Sequence, residues 1–202
     1  MIRRIGVMGG TFNPIHFGHL VAAEEARRAF RLEKVIFIPS GDPPHKSRKD
    51  LWPAGLRYLL TLLAIAENPV FEASRIEIDR KGPTYTTDTL KSLHRQFPQT
   101  DIYFITGIDA ILEMHTWNHG ANLLRQALFV AASRPGHRLD ELPLYFTPTQ
   151  LKRILPLEIP LLAISSTDIR RRLKAGLSIR YLIPAPVADY LISHRVNLAG
   201  AA

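Results

Sequence analysis

The sequence predicts an α/β protein built on a doubly wound, Rossmann-like parallel sheet. Short apolar runs alternate along the chain with segments whose apolar residues recur at helical spacing, which is typical of strand–helix–strand units. The chain has 202 residues, of which 46% are hydrophobic, so it is long enough to bury one core. We therefore expect a single domain over residues 1–202, with a sheet core at 1–164 and a small helical C-terminal part at 165–202.

Six apolar runs are the expected strands, because each is short and is bounded by glycine, proline or polar residues. The first run stops at Gly9 and Gly10. The second is followed by residues 40–50, whose prolines and charges predict a loop. Residues 134–156 have no clear periodicity, and we expect a long surface loop there. In chain order the predicted strands are Ile2–Met8, Lys34–Pro39, Val70–Ile78, Asp101–Gly107, Ala127–Ala132 and Ile159–Ile164.

Five segments have helical patterns or helix-start signals. Phe17–Phe30 places apolar residues on one face and charges on the other. Pro53 suits the start of a second helix, which continues through LRYLLTLLAIAEN. Thr86 or Thr87 can cap a third helix. The last two helices are expected at SSTDIRRRLKAG, which has a capping run and a glycine stop, and at Ala185–Arg195.

Composition excludes several classes of protein. The chain has no cysteine, which rules out disulfides, thiol catalysis, iron–sulfur clusters and cysteine-based zinc sites. No stretch approaches the run of about 20 apolar residues that a membrane span needs. The start, MIRRIGVMGG, reaches its glycines too early for a signal peptide, so we expect a cytoplasmic protein with no membrane partner.

The positive charge is concentrated at the two ends of the chain. The net charge is +8, from 26 basic and 18 acidic residues. Residues 1–50 contribute +4 (9 − 5), residues 51–150 contribute −1 (9 − 10), and residues 151–202 contribute +5 (8 − 3). This split suits a polyanion held between the two ends, although a basic surface for nucleic acid or simple solubility would also produce it.

The first strand-to-helix junction, GGTFNPIHFGH at residues 9–19, has the richest chemistry. Two glycines after a buried strand permit close backbone approach to a ligand, and the following helix start favours an anion. The spacing matches neither the dinucleotide fingerprint nor the P-loop. His16 and His19 are three residues apart, so both rings can face one phosphate. A structural histidine pair or half of a metal site are the alternatives.

The junction resembles the (H/T)-x-G-H signature of nucleotidyltransferases, and the wider pattern is similar to the bacterial nicotinate-nucleotide adenylyltransferase family. Six further blocks occur in that family's order, so the resemblance covers residues from about 5 to 173. They are PPHK (Pro43–Lys46), KGPTYTTDTL (Lys81–Leu90), YFITGIDA (Tyr103–Ala110), Trp117, SRPG (Ser133–Gly136) and ISSTDIRRRL (Ile164–Leu173). The resemblance implies that ATP and nicotinate mononucleotide give nicotinate adenine dinucleotide and pyrophosphate, a step of NAD biosynthesis.

The resemblance also implies a set of site residues. His16 and His19 would act on the reacting phosphates as catalytic residues. The residues implied for ATP binding are Gly9, Gly10, Thr11, Phe12, Lys46, Ser165, Ser166, Thr167 and Arg170. Those expected to bind nicotinate mononucleotide are Thr84, Tyr85, Thr86, Asp109, Trp117 and Arg134. Arg171 and Arg172 point elsewhere around their helix and are expected to be solvated or to face an interaction partner, without a catalytic role.

Several of these residues also have a structural interpretation. Lys46 can be a solvated loop lysine, and Ser165 with its neighbours can simply cap a helix. Trp117 can be a core aromatic, Asp109 a helix N-cap, and Arg134 part of a surface ion pair.

We expect Mg²⁺ to enter with ATP, because the sequence shows no carboxylate cluster that would hold a metal by itself. The expected partners are the small-molecule substrates, with no nucleic acid, while the oligomeric state stays open. Two other functions remain as alternatives. A sister enzyme of the same fold would use pantetheine phosphate or nicotinamide mononucleotide, and a noncatalytic basic module would bind RNA.

Overall fold

The computed structural model describes residues 3–43, 51–117, 120–133, 139–160, 162–194 and 196. Within them, six strands form one sheet in the order β3-β2-β1-β4-β5-β6. The strands are β1 (Arg3–Gly10), β2 (Lys34–Pro39), β3 (Phe71–Ala73), β4 (Thr100–Gly107), β5 (Leu128–Ser133) and β6 (Ile154–Glu158). The β1/β4, β4/β5 and β5/β6 pairs are all parallel.

This strand order confirms the predicted doubly wound α/β fold. The chain builds outward from β1 to β3 and then returns to place β4 on the other side of β1. Arg3 pairs with Thr100 at the start of the β1/β4 ladder, and Met8 pairs with Ile105 near its end. In such sheets ligands bind at the carboxyl ends of the strands where the order reverses, which here is the end of β1 and β4.

Nine α-helices lie in the described part of the chain. They are α1 (Phe17–Phe30), α2 (Ala54–Ile65), α3 (Thr86–Gln96), α4 (Ile108–Leu112), α5 (Gly120–Gln126), α6 (Leu142–Tyr145), α7 (Pro148–Leu151), α8 (Ser166–Lys174) and α9 (Ala185–Ser193). Short 3-10 helices occupy Glu113–Thr116 and Leu139–Glu141. Among the described residues, no helix has the length and apolar character that crossing a membrane requires.

The chain divides into two compact units, and neither is continuous in sequence. The first contains residues 1–9, 21–36 and 85–161, and the second contains residues 10–20, 37–84 and 162–202. In the first unit, buried side chains of β1, β4 and β5 form the core together with Leu90 and Leu93 of α3. In the second, α2 packs against α9. The expected single domain, with a sheet core at 1–164 and a helical part at 165–202, stays a prediction.

The prediction for the last strand is wrong. The strand lies at Ile154–Glu158 instead of 159–164, and α6 and α7 lie in the stretch that was expected to be loop. The proline inside β6, Pro156, made this segment look irregular, yet an edge strand tolerates a residue without a backbone donor. Helix α7 did carry a signal, because Thr147 and Gln150 form a capping box at its start.

Two other predictions need smaller corrections. The third strand is only Phe71–Ala73, since the chain turns after it, with the Asp79 amide donating to the Arg75 carbonyl at 2.9 Å. Tyr85, not Thr86 or Thr87, holds the N-cap position of α3, and it makes no side-chain cap. The ends of β1, β4 and β5 differ from the predicted ends by one or two residues, while α1 and β2 have the predicted bounds.

Candidate active site

Strand β1 ends with two glycines, and packing against aromatic rings leaves no room for a side chain at either position. A Cβ atom on Gly10 would lie 2.7 Å from the ring of Phe12, and one on Gly9 would lie 2.9 Å from the ring of Phe104. Phe12 itself is 2% exposed and has a φ of 46°, a backbone conformation that residues other than glycine rarely adopt. The chain thus bends sharply at the carboxyl end of β1, around a buried phenyl ring.

Two histidines at the end of this turn lie face to face. The imidazole rings of His16 and His19 stack with their centroids 3.8 Å apart, and Phe12 contacts His19 edge-on at 5.0 Å. The backbone N–H of His16 donates to Nδ1 of His19 at 3.2 Å. Because Nδ1 of His19 accepts this bond, the neutral ring carries its proton on Nε2 and can donate from there.

Desolvation lowers the pKa of both histidines, which favours neutral rings in the free protein. His16 is buried, and this lowers the pKa of its imidazole to about 4. The pKa of His19 is lowered well below its usual value, first by desolvation and then by the neighbouring His16. Nδ1 of His16 is buried and makes no hydrogen bond within the described residues. The pair therefore has hydrogen-bonding capacity that the protein itself does not use.

The start of α8 contacts the same turn. Ser165 is the N-cap, as expected, and its Oγ accepts from the Asp168 amide at 3.1 Å. Oγ of Ser166 donates to the Pro14 carbonyl at 2.8 Å, and Nη1 of Arg170 donates to the Asn13 carbonyl at 2.8 Å. Two residues predicted to bind ATP therefore also hold the backbone that leads to the histidines.

The arginines of α8 differ in their contacts. Arg171 and Arg172 both form ion pairs with Asp168 on the same helix. Nη2 of Arg170 lies 3.5 Å from the hydroxyl of Thr167, at the limit of a hydrogen bond. Part of the Arg170 guanidinium and the Thr167 hydroxyl thus remain available beside the histidine turn.

The residues expected around the mononucleotide are distributed over both units. Thr84, in the second unit, is buried, and its amide donates to the Asp42 carbonyl at 3.1 Å. Its hydroxyl has no hydrogen-bond partner among the described residues. In the first unit, Asp109 lies in the first turn of α4, directly after β4, and the N-cap there is Gly107. The interpretation of Asp109 as the N-cap is therefore wrong.

The first unit also contains the other mononucleotide residues that the structure describes. Trp117 is half-buried, and its amide donates to the Met114 carbonyl at 3.0 Å. Tyr85 is the N-cap of α3 and Thr86 is its first residue, and this helix start has no side-chain cap. The predicted residues Lys46 and Arg134 lie outside the described residues. The second unit contains the two histidines together with Thr11, Phe12, Ser165, Ser166, Thr167 and Arg170.

No metal centre accompanies the histidine pair in the part of the chain that the structure describes. There, no group of three or more histidine, aspartate or glutamate side chains is placed to hold an ion. The half-metal-site interpretation of His16 and His19 thus finds no third ligand among the described residues. A metal that entered with a polyphosphate would be held mainly by the phosphates and by water.

Sequence reasoning missed one residue of this region, Arg57. Its side chain is 0% exposed and donates to four backbone carbonyls, including that of Thr11 in the histidine turn. A signal was present, since Arg57 is the single charged residue in the mostly apolar sequence of α2, AGLRYLLTLLAI. A lone charge on such a helix indicates a buried polar contact.

The strand order and the polar turn at the end of β1 define a nucleotide-binding α/β protein. Comparison with known proteins narrows this class. The cytidylyltransferase-like family profile matches residues 7–172, which include the histidine turn and most of α8. The chain belongs to this family, in the branch of the nicotinate-nucleotide adenylyltransferases.

Two similar curated relatives carry the name "probable nicotinate-nucleotide adenylyltransferase". The one from Moorella thermoacetica is 53% identical over 194 residues, covering 94% of this chain and 89% of the relative. The one from a Nocardioides species is 51% identical over 187 residues, covering 93% and 90%. The Plasmodium falciparum nicotinic acid mononucleotide adenylyltransferase complexed with NaAD has a TM-score of 0.76, 21% identity, and coverage of 96% of this chain and 97% of that structure. At this identity, the structural likeness supports the fold.

Proposed function

We propose that this protein transfers the adenylyl group of ATP to nicotinate mononucleotide, giving nicotinate adenine dinucleotide and pyrophosphate in NAD biosynthesis. The relatives that are about half identical over nearly the whole chain carry the name of this activity. The structural observation that carries the proposal is the stacked pair His16 and His19 at the carboxyl end of β1. Nucleotides bind at this end of a doubly wound sheet.

The reaction is a single displacement at phosphorus. A phosphate oxygen of the mononucleotide attacks the α-phosphorus of ATP, and a new P–O bond forms. The bond from the α-phosphorus to the oxygen bridging to the β-phosphate breaks, and pyrophosphate leaves with that electron pair. Because the nucleophile is already an anion, no general base is required. The task of the protein is to position the two substrates and to stabilise negative charge.

The neutral histidines suit this task. Because Nδ1 of His19 accepts from the His16 amide, the proton of the neutral ring is on Nε2. This N–H group can donate to a phosphate oxygen. A neutral donor in a poorly hydrated site stabilises charge that develops in the transition state, without binding the ground state as strongly as a fixed cation would. The charge of bound phosphates raises the pKa of both rings, so binding of ATP at low pH brings a proton with it.

The ATP phosphates would lie between the turn at Gly9 to Phe12 and the start of α8. The Ser165 hydroxyl is occupied as the N-cap, and the Ser166 hydroxyl donates to the turn. The groups of α8 that remain for phosphate are its first backbone N–H groups, the Thr167 hydroxyl and the N–H groups of Arg170 not used at Asn13. Lys46 would add a point charge. ATP would enter as its magnesium complex.

The mononucleotide would be held by Thr84, Tyr85, Thr86, Asp109, Trp117 and Arg134. Trp117 is half-buried, which leaves part of its ring free to stack on the electron-poor pyridinium. The absence of a side-chain cap on α3 leaves its first N–H groups without that partner, and these are suitable donors to the nicotinate carboxylate. The carboxamide of nicotinamide would offer these donors one acceptor oxygen in place of two, and its NH₂ group would be unmatched. The site therefore favours nicotinate over nicotinamide.

Pyrophosphate release from Mg-ATP tests the proposal. Parallel reactions contain nicotinate mononucleotide, nicotinamide mononucleotide or pantetheine phosphate as the acceptor, and a reaction without protein is the control. We expect rapid release with the first acceptor and much slower release with the others. Preference for another acceptor would keep the phosphate site and overturn the assignment of the mononucleotide residues. Release with none of the three would contradict the proposal and favour a binding module.

A further inference from the structure

The fully buried side chain of Arg57 lies in the second unit, in contact with several backbone segments. Arg57 is 0% exposed, and a buried charge is tolerated only where hydrogen bonds replace those made to water. Nε donates to the Trp52 carbonyl at 2.9 Å, and Nη1 to the Thr11 carbonyl at 2.7 Å. Nη2 donates to the carbonyls of Ser40 at 2.6 Å and Gly41 at 3.2 Å. Each of these four acceptors is a main-chain oxygen.

These acceptors lie where two neighbouring strands separate. The Ser40 amide donates to the Gly10 carbonyl at 2.9 Å, just past the end of β2. Beyond this bond the chain leaves the sheet on both sides, and the carbonyls of Thr11, Ser40 and Gly41 need donors from elsewhere. The guanidinium of Arg57 supplies them with one rigid, planar group. It therefore fixes the distance between the turn after β1 and the segment after β2.

Other side chains hold the rest of the same turn. Oδ1 of Asn13 accepts from the Trp52 amide at 3.1 Å. The carbonyls of Asn13 and Pro14 accept from Arg170 and Ser166. With the Thr11 carbonyl bound to the guanidinium, three of the carbonyls between Gly10 and the histidine pair have side-chain donors from distant parts of the sequence. Hydrogen bonds from several distant side chains thus hold the backbone segment that leads to the histidines.

The buried guanidinium remains charged under assay conditions. Burial lowers the pKa of Arg57 to about 10, while the neighbouring Glu77 opposes this change. The group is therefore protonated near neutral pH, and all of its N–H donors persist. A lysine at this position would place one ammonium where four carbonyls converge, and it could not reproduce the planar fork that reaches both strand ends.

We propose that Arg57 is a positioning residue for adenylyl transfer: it sets the geometry of the turn from Thr11 to His16 that presents the histidine pair to the phosphates of ATP. The inference rests on the proposed function, because that function defines what the turn must position. Arg57 acts through the backbone and is not expected to touch a substrate itself. Loss of the guanidinium would displace both the histidines and the turn beside which the ATP phosphates would lie.

Two variants of α2 test this proposal. Arg57→Lys keeps a positive charge and removes the fork, and Leu60→Ala removes a fully buried side chain of the same helix without altering any donor to the turn. Each is compared with the wild type for folded fraction by circular dichroism, affinity for Mg-ATP by calorimetry, and kcat. All measurements are made well below the melting temperature of the least stable variant.

For Arg57→Lys we expect kcat to fall by about 10- to 100-fold, with weaker binding of Mg-ATP, since misplacement of about 1 Å can cost a factor of that size. Leu60→Ala should lower the melting temperature and leave kcat and Mg-ATP affinity within about twofold of the wild type, because below its melting temperature the fold is intact. As a second readout, guanidinium ions at millimolar concentration should restore part of the activity and Mg-ATP affinity of Arg57→Ala, whereas ammonium ions should not.

Failure of this proposal can be distinguished from failure of the proposed function. If Arg57→Lys has the kcat and Mg-ATP affinity of the wild type, Arg57 does not position the site. If Leu60→Ala loses as much as Arg57→Lys at equal folded fraction, the role is general stability and the proposal is also wrong. If the wild type binds Mg-ATP and forms no dinucleotide, the proposed function fails. In that case, weaker binding of Mg-ATP by Arg57→Lys alone would still support positioning of the turn.

Discussion

The burial of His16 makes a quantitative prediction about stability and pH. Its imidazole is 8% exposed, and burial lowers the pKa in the folded protein to about 4 from 6.5 in the unfolded chain. Protonation of this imidazole is less favourable in the folded state than in the unfolded chain. The stability that the folded state gains from this difference is fully present above pH 6.5. This stability is lost as the pH falls from there toward 4, because the unfolded chain takes up the proton first. The full difference is about 3 kcal/mol, and about 2 kcal/mol of it is lost between pH 7.5 and pH 5.

The assay is urea unfolding of the wild type and of His16→Asn at pH 7.5, 6.5, 5.5 and 5. Other groups also titrate in this range, so the informative quantity is the difference between the two proteins in how the free energy of unfolding changes with pH. Asparagine cannot take up the proton, and we expect the pH dependence of the variant to be smaller by about 2 kcal/mol over this range. The lowered pKa of His19 acts in the same direction in both proteins. Equal pH dependence in the two proteins would refute the reasoning.

Three further substitutions test the site residues. His19→Ala should lower kcat by about two to four orders of magnitude while circular dichroism stays unchanged, since a lost donor to the reacting phosphates has an effect of that size, and near-normal turnover would count against the assignment. Trp117→Ala should raise KM for nicotinate mononucleotide more than KM for ATP, whereas an equal rise would indicate a packing role. Arg170→Ala should lower kcat/KM for ATP by about tenfold or more, as expected for a lost charged hydrogen bond. Arg171→Ala, which removes only an exposed pair with Asp168, should have little effect and serves as its control.

Local sequence signals predicted the parts of the fold that depend on neighbouring residues. Helix α1 and strand β2 have the expected bounds, because amphipathic periodicity and a short apolar run are visible within each segment. The Ser165 cap of α8 is likewise a contact over three residues. The family resemblance rested on blocks of this local kind, and it led to the family that the comparisons show.

Contacts between distant residues could not be predicted in the same way. Ser166 and Arg170 donate to carbonyls more than 150 positions earlier in the chain, and the four acceptors of Arg57 come from three separate segments. A sequence pattern shows that such a side chain is unusual, but its partners depend on the tertiary fold. Strand β6 was missed for a related reason, since only its place at the edge of the sheet makes Pro156 acceptable.

A competition between two acceptors tests the central claim most directly. The protein, Mg-ATP and equal concentrations of nicotinate mononucleotide and nicotinamide mononucleotide are combined, and both dinucleotide products are quantified by mass spectrometry in the same samples. The ratio of the two products gives the ratio of kcat/KM for the two acceptors. We predict that nicotinate adenine dinucleotide accumulates in clear excess, together with one pyrophosphate per dinucleotide formed. An excess of the nicotinamide product, or ATP consumption without either dinucleotide, would contradict the account.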